Sequence, residues 1–196
     1  MDQPKISLVI GGSGGLGESI ARNLMRCGNH VAVHSYSNSE RSQRLVKEMQ
    51  ANQDVQVISV EADIRSQTSV EAMIADVEQQ LGKVDILINA AGISIDGMSW
   101  KMSPADWQTV LDTNLTGPFL CSRAVLPSMR SNRWGRIVNL SSIVGQTGVP
   151  GTSAYAASKS GLFGMTRSMA SEVASKGITV NALSLGYFDT GLIESI

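Results

Sequence analysis

Three side chains of this 196-residue sequence are of types that handle protons as a unit: Tyr155, Lys159 and Ser142. Tyr155 and Lys159 stand four apart in the helix-patterned stretch 154–162, so both leave one helix face. A free phenol titrates near ~10, too high for efficient acid–base work at neutral pH, and a neighbouring ammonium stabilises the phenolate and lowers that value. Lys159 is the candidate cation. Ser142 follows the apolar run Ile137-Val138-Asn139-Leu140, which reads as a buried strand and sets the hydroxyl at its carboxyl end. Ligands collect there in open α/β sheets. A lone Y-x-x-x-K is usually an ordinary helix surface, so the weight rests on the combination.

The second chemistry-bearing segment lies near the N-terminus. Lys5-Ile6-Ser7-Leu8-Val9-Ile10 runs into the glycine-rich stretch 11–17 and then into a helical pattern through Ile20, Leu24 and Met25. Strand, glycine loop and helix form the setting in which a dinucleotide is bound. Gly12, Gly14 and Gly17 satisfy G-x-G-x-x-G, while Gly11, Gly15 and Gly17 satisfy G-x-x-x-G-x-G, and spacing alone leaves the register open. In either register bare backbone can approach a pyrophosphate at a helix N-terminus. The bland alternative is a flexible glycine turn.

With both ends in view, the chain resembles the short-chain dehydrogenase/reductase family along essentially its whole length. Gly11, Gly15 and Gly17 match the family's cofactor loop, Asp63 its acid after the third strand, Asn89-Ala90-Ala91-Gly92 its N-N/A-A-G segment, and Asn114, Ser142, Tyr155 and Lys159 its catalytic tetrad. The resemblance favours the Gly11, Gly15, Gly17 register. It implies a cofactor-binding set of Gly11, Ser13, Gly14, Gly15, Leu16 and Gly17, then Asp63 and Ile64, Asn89 to Gly92, Tyr155 and Lys159, and finally Gly186 and Thr190. It also implies that Asn114 organises a water beside Lys159; the residue's plainer role is a capped kink in a long helix.

Elements that position these residues are legible as alternation. After the first strand, strands are expected at Val31 to Ser35, Val55 to Val60, Val84 to Asn89, Arg136 to Leu140 and Ile178 to Leu183. Helices are expected at Gly15 to Cys27, Ser39 to Asn52, Gln67 to Leu81, Pro104 to Arg130 and Ser153 to Lys176. The pattern is α/β, a doubly wound Rossmann-type parallel sheet with helices on both faces, in one domain over residues 1–196. No metal site is expected.

Cofactor choice turns on the end of the second strand, where an NAD-preferring site puts a carboxylate against the ribose 2′-hydroxyl. Here the residues are His34-Ser35-Tyr36-Ser37-Asn38. With no acid to repel a 2′-phosphate, and with Ser35, Ser37 and Asn38 as donors, NADP(H) is favoured over NAD(H). Arg41 reads first as a solvated helix charge and second as a group reaching back to that phosphate. His34 reads as locally satisfied, with a phosphate-holding cation as its alternative.

The chemistry that follows is hydride transfer from NADPH to a carbonyl carbon, with Tyr155 giving the proton, Ser142 orienting the carbonyl oxygen and Lys159 contacting the nicotinamide ribose. Residues 92–102, 134–139 and 176–181 resemble those of 3-oxoacyl-(acyl carrier protein) reductases and acetoacetyl-CoA reductases. That subgroup's carrier-docking positions fall on Arg133 and Lys176, both basic. Met98, Trp100 and Met102 are candidates for an acyl path. The substrate is then a 3-oxoacyl thioester on carrier protein or CoA, and the family implies a homotetramer. An alcohol, sugar or steroid dehydrogenase with the same tetrad is the alternative within enzymes, and a non-catalytic dinucleotide-binding sensor or subunit is the alternative outside them.

Composition agrees with small-molecule chemistry. A net charge of −1 with 42% hydrophobic and 17% charged residues carries no electrostatic footprint for nucleic acid or an anionic membrane. No apolar run approaches the ~20 residues that span a bilayer, and a cytoplasmic protein is expected. Cys27 and Cys121 read as separate, buried or semi-buried thiols without a disulfide. Two departures from the family stand out. Leu185-Gly186 replaces its Pro-Gly, removing a stiffener from that turn. The chain also stops at Ile196, where relatives continue into a substrate lid, a further helix and a seventh strand, so an incomplete chain is expected.

Overall fold

The computed structural model describes residues 3–37, 39–50 and 55–187. Strands β1 (Ile6–Ile10), β2 (His30–Ser35), β3 (Val57–Glu61), β4 (Ile86–Asn89), β5 (Gly135–Ser142) and β6 (Ile178–Leu185) form one sheet in the order β3-β2-β1-β4-β5-β6. All five pairings are parallel, so each connection crosses over the sheet through helix. This is the doubly wound order, with its switch point between β1 and β4.

Strands buried on both faces explain the near-continuous apolar runs of the sequence. Successive residues alternate: Val9, Val31 and Val33 meet Ala21 and Met25 of α1 (Gly15–Arg26) and Leu45 and Met49 of α2 (Ser39–Gln50). On the other face Leu8, Ile10, Leu87 and Ile137 meet α3 (Gln67–Gln80), α5 (Gly117–Asn132) and α7 (Ser153–Val173) through Val70, Ile74, Cys121, Val125, Met169 and Val173.

Two elements differ from expectation for physical reasons. The single helix expected from Pro104 to Arg130 is α4 (Pro104–Leu111), a π-helical turn over Asp112–Thr116, and then α5. Pro118 has no N–H to give the carbonyl of residue 114, and the wider turn, with Gly117 N–H reaching the Asp112 carbonyl, absorbs the loss. The short helix α6 (Val144–Thr147) was not expected; four residues carry no periodicity to read. At the other end of β5, α7 gives way to a 3₁₀ turn over Ala174–Lys176. Strand ends also shift, and β5 extends far enough that Ser142 itself pairs with Leu185 of β6.

Candidate active site

The carboxyl end of β5 and the first two turns of α7 bring the proton-handling side chains together. Ser142 is the last residue of β5; its Oγ accepts the Val144 N–H at 3.2 Å, which starts α6. The same hydroxyl lines the cleft with the Tyr155 phenol, whose pKa it draws down. α6 presses so closely on α7 that a Cβ at Gly145 would lie 2.8 Å from the Lys159 carbonyl carbon. Lys159 is buried, with Nζ donating to the Leu140 carbonyl at 2.7 Å and lying 5.6 Å from the Tyr155 ring centre.

Burial lowers the Lys159 ammonium to about 8. Tyr155 moves the opposite way from the expected depression. Burial raises the phenol above its ordinary value, the Ser142 hydroxyl pulls it down, and the Asp96 carboxylate pushes it up. Lys159 gives its hydrogen bond to Leu140, so desolvation of the phenol prevails. A phenol kept protonated is a proton donor at neutral pH.

Asn114 sits in the π turn, fully buried. Its Oδ1 accepts the Ile93 N–H at 2.9 Å, while Nδ2 donates to the Ile93 carbonyl at 2.8 Å and to Ser158 Oγ at 3.1 Å. Ser158 in turn donates to the Tyr155 carbonyl at 2.7 Å. Asn114 therefore fastens the loop after β4 to the helix that carries Tyr155. A Cβ at Gly92 would lie 3.4 Å from Lys159 Nζ and 3.5 Å from Asn114 Oδ1, so both groups border the space that this glycine leaves.

From this site a cleft of about 750 Å³ runs along the carboxyl edge of the sheet to the glycine loop. Gly11 has φ +72, and a Cβ there would lie 2.8 Å from the Ala91 backbone; a Cβ at Gly17 would lie 2.1 Å from the Gly11 carbonyl oxygen. Side chains are excluded at these positions, whereas the space at Gly14 is open to 3.9 Å. The geometry thus agrees with the Gly11, Gly15, Gly17 register. The Gly11 N–H donates to His34 Nδ1 at 3.0 Å, and His34 Nε2 meets the Ala62 carbonyl at 3.0 Å. Burial lowers the His34 pKa, so the ring is neutral with its proton on Nε2. It is locally satisfied and not offered to a phosphate.

Charged side chains stand at the rim. Arg65 grips both oxygens of Asp63, at 2.9 Å and 3.2 Å from Nε and 2.8 Å from Nη2, and Nη2 also donates to the Tyr36 hydroxyl at 3.0 Å. This holds Asp63 below the usual carboxylate range. Arg65 escaped the sequence reading, although a basic residue two places after the expected acid was a usable signal. Arg41 lines the cleft, its two terminal nitrogens 3.9 Å from where a Cβ of residue 14 would be, and pairs with Glu18 at 3.7 Å. With its side chain 56% exposed, Arg41 is at once a solvated charge and a lining residue of the cleft, so both readings of it have support.

Of the remaining expected residues, Ser13, Gly14, Gly15, Leu16, Tyr36, Asp63, Ile64, Ala90, Ala91, Gly92 and Gly186 line the cleft with Tyr155 and Lys159. Ser35 does not. Its buried hydroxyl turns to Ser42 Oγ at 3.3 Å, which is bonded to Ser59 Oγ at 2.7 Å, because strand alternation sends it away from His34. Ser37 is exposed and off the cleft wall. Asn89 lies beneath the wall, donating to Asn139 Oδ1 at 2.8 Å and Ser122 Oγ at 3.3 Å. Asn38 and Thr190 fall outside the described residues. Leu185, without proline's rigidity, is pinned by the Ile143 N–H on its carbonyl at 2.8 Å.

Arg133 and Lys176 come together, with Arg133 Nη2 donating to the Ser175 carbonyl at 3.1 Å, but at the amino edge of the sheet. The seven steps of β5 put them roughly 23 Å from Ser142 at ~3.3 Å per residue. Within one chain they do not border the entrance to the site, a correction to the expectation. Met98 and Trp100 are exposed and Met102 half-buried. Cys27 is exposed, contrary to expectation; buried Cys121 has its thiol pushed up to about 12. Among the described residues no helix is long and apolar enough to cross a membrane, and no cluster of His, Cys, Asp and Glu could hold a metal.

A cradle of bare backbone at one end and a proton donor at the other are what hydride exchange with a dinucleotide requires. Fold and site together define an NAD(P)H-dependent oxidoreductase. Residues 5–196 match the family described as short chain dehydrogenase, and the chain belongs to that family. It is 40% identical over 196 residues to a 3-oxoacyl-(acyl-carrier-protein) reductase of Staphylococcus aureus, covering all of this chain and 79% of the relative. It is 37% identical over 192 residues to the enzyme of that name from Synechocystis, and 39% identical over 192 to an acetoacetyl-CoA reductase of Cupriavidus necator. Each of those two alignments covers 98% of this chain, and 77% and 78% of the relative respectively.

Proposed function

We propose that the protein reduces a 3-oxoacyl thioester, carried by acyl carrier protein or CoA, to the 3-hydroxyacyl thioester with NADPH. The observation that carries this reading is the clustering of Ser142, Tyr155 and Lys159 along one wall of a glycine-cradled cleft, in a chain 37–40% identical to reductases of such thioesters. The space kept free of side chains at Gly11, Gly17 and Gly92 suits a dinucleotide.

When bound, a reduced nicotinamide supplies the hydride that the carbonyl carbon takes up. Ser142 donates to the carbonyl oxygen and orients it, and Tyr155 gives its proton to that oxygen as charge develops. Lys159 would hold the nicotinamide ribose. It shares with Asn114 the space at Gly92, where a water would return the proton. Preference for NADPH is supported by the lack of an acid at residues 34–37 and by Arg41 beside Gly14. The protein acts in the cytoplasm as a homotetramer.

The test is NADPH oxidation with acetoacetyl-CoA and with an acyl-carrier-protein thioester, with NADH as control and Tyr155→Phe as the inactive partner. Turnover that Tyr155→Phe loses supports the proposal. Turnover only on cyclic ketones, sugars or simple alcohols makes the protein another dehydrogenase of the family. NADPH binding without turnover on any ketone makes it a sensor or a non-catalytic subunit.

A further inference from the structure

His34 is the one buried ionisable ring of the described core, 2% exposed, and the reaction makes no use of it. Its position is unusual in joining three segments at once. It belongs to β2, its Nδ1 takes the N–H of Gly11 just after β1, and its Nε2 reaches the Ala62 carbonyl just after β3. Gly11 is also the residue that turns the chain into the left-handed region and whose carbonyl oxygen underlies Gly17. The imidazole therefore fixes the root of the glycine loop from below, while inside the loop the Gly12 N–H bonds the Val9 carbonyl at 3.1 Å and the Gly14 N–H the Gly11 carbonyl at 3.5 Å.

We infer that His34 is the positioning residue of the cofactor loop, holding Gly11 in its turn through the neutral imidazole, so that protonation of this ring releases the loop and weakens dinucleotide binding. The hydrogen-bond pattern requires it: Gly11 N–H is a donor, and an imidazolium offers two donors and no acceptor. The charged groups around the ring do not hold the cation in place. The Ala62 carbonyl on Nε2, Glu61 at the end of β3 and Asp63 beyond it favour it, but burial outweighs all three, and Asp63 is taken by Arg65. From α2, Arg41 lines the same cleft paired with Glu18 of α1, and β1 carries no charge. Burial keeps the folded pKa below the ordinary 6.5, so the neutral ring persists through neutral pH and is lost as pH falls below that value.

The inference rests on the dinucleotide site and not on the thioester substrate, so the test involves binding alone. Oxidised NADP and NAD are titrated calorimetrically into the protein from about pH 8 down to about pH 5, alongside His34→Asn and His34→Gln. An asparagine oxygen stands near the place of Nδ1 and can accept the Gly11 N–H, whereas a glutamine amide reaches toward Ala62 and cannot. Wild type is expected to lose affinity for both cofactors in acid, and His34→Asn to bind within about threefold of wild type at neutral pH and to keep that affinity in acid. His34→Gln is expected to bind about fivefold more weakly at every pH. An acid loss that survives in His34→Asn overturns the inference, as does flat binding by wild type. So does a loss seen with NADP alone, which assigns the effect to the 2′-phosphate titrating near about 6. Equal weakening in both variants, with no change in the acid response, leaves His34 a packing residue only and also overturns it. Should His34→Gln fail to fold, the acid response of His34→Asn still decides.

Discussion

At the Tyr155 end of the cleft the polar groups are side chains sunk in the protein, whereas the glycine-loop end offers bare backbone and half-exposed charges. Ser142 and Lys159 are 8% and 6% exposed, and Tyr155 owes its raised pKa first to burial. The side chain of Arg41 is 56% exposed and that of Arg65 38%. Proton transfer needs a pKa set by desolvation, and desolvation requires that every neighbour be fixed. Cradling a phosphate needs mostly room and orientation, which the absent side chains of Gly11 and Gly17 supply. Changes at the first end should therefore act on turnover steeply, and changes to charge at the second should act on affinity by degrees.

The largest effect is expected from Tyr155→Phe, which removes the proton donor and should lower kcat about a thousandfold. Cofactor affinity, measured by fluorescence of bound NADPH, should stay within about threefold, because the ring remains. An equal loss in both quantities would erase the contrast between the two ends. Gly17→Ala comes next. Its new methyl meets the Gly11 carbonyl, and overpacking of about 1–3 kcal/mol translates into roughly five- to 150-fold weaker cofactor binding. Gly14→Ala, in open space, should bind as wild type does.

Lys159 lets the stability side of the contrast be measured. Its folded value of about 8 lies below the ordinary 10.5, so between those values the unfolded chain binds more protons and stability rises with pH. Below that window the buried ammonium is a standing cost, on the order of 2 kcal/mol once the hydrogen bond to Leu140 is allowed for. Lys159→Met should therefore abolish turnover yet raise thermal stability at pH 7, with the gain shrinking toward pH 10. Thermal unfolding at both pH values checks the sign. A variant less stable at pH 7 would mean that the Leu140 hydrogen bond outweighs desolvation.

How far these features could be read in advance depended on whether a local pattern carried them. The sheet was legible because strands buried on both faces leave apolar runs, and the Tyr155–Lys159 pair because the two share a helix face at a fixed spacing, whereas Asn114 came only with the family resemblance. The π turn was written in Pro118 but needed the question of where the Asn114 carbonyl would find a donor. Ser35 and His34 are neighbours whose fates strand alternation separates, and only the position of α2 tells which of them turns to the cleft. The rise in the Tyr155 pKa could not be read at all, since it is set by burial and by Asp96, fifty-nine residues away in sequence. Arg133 and Lys176 show the converse: the chain brings them together as a pair, but at the edge of the sheet far from Ser142.

The smallest effect, and the sharpest for the glycine-loop end, belongs to Arg41. Its guanidinium occupies the neighbourhood that a basic side chain at position 14 would fill, so it is the charge closest to the loop from α2. Because it is more than half exposed and shared with Glu18, its attraction for a 2′-phosphate is screened by solvent and salt. Arg41→Ala should reduce the preference for NADPH over NADH about three- to fivefold at low ionic strength, within the range of an exposed charge pair. The difference should fade toward about 0.5 M salt, where the screening length falls to a few ångströms. Binding of NADH, which lacks the phosphate, should not change. If Arg41→Ala instead abolishes binding of both cofactors at every salt concentration, Arg41 is holding the loop itself and the glycine-loop end is as tightly determined as the Tyr155 end.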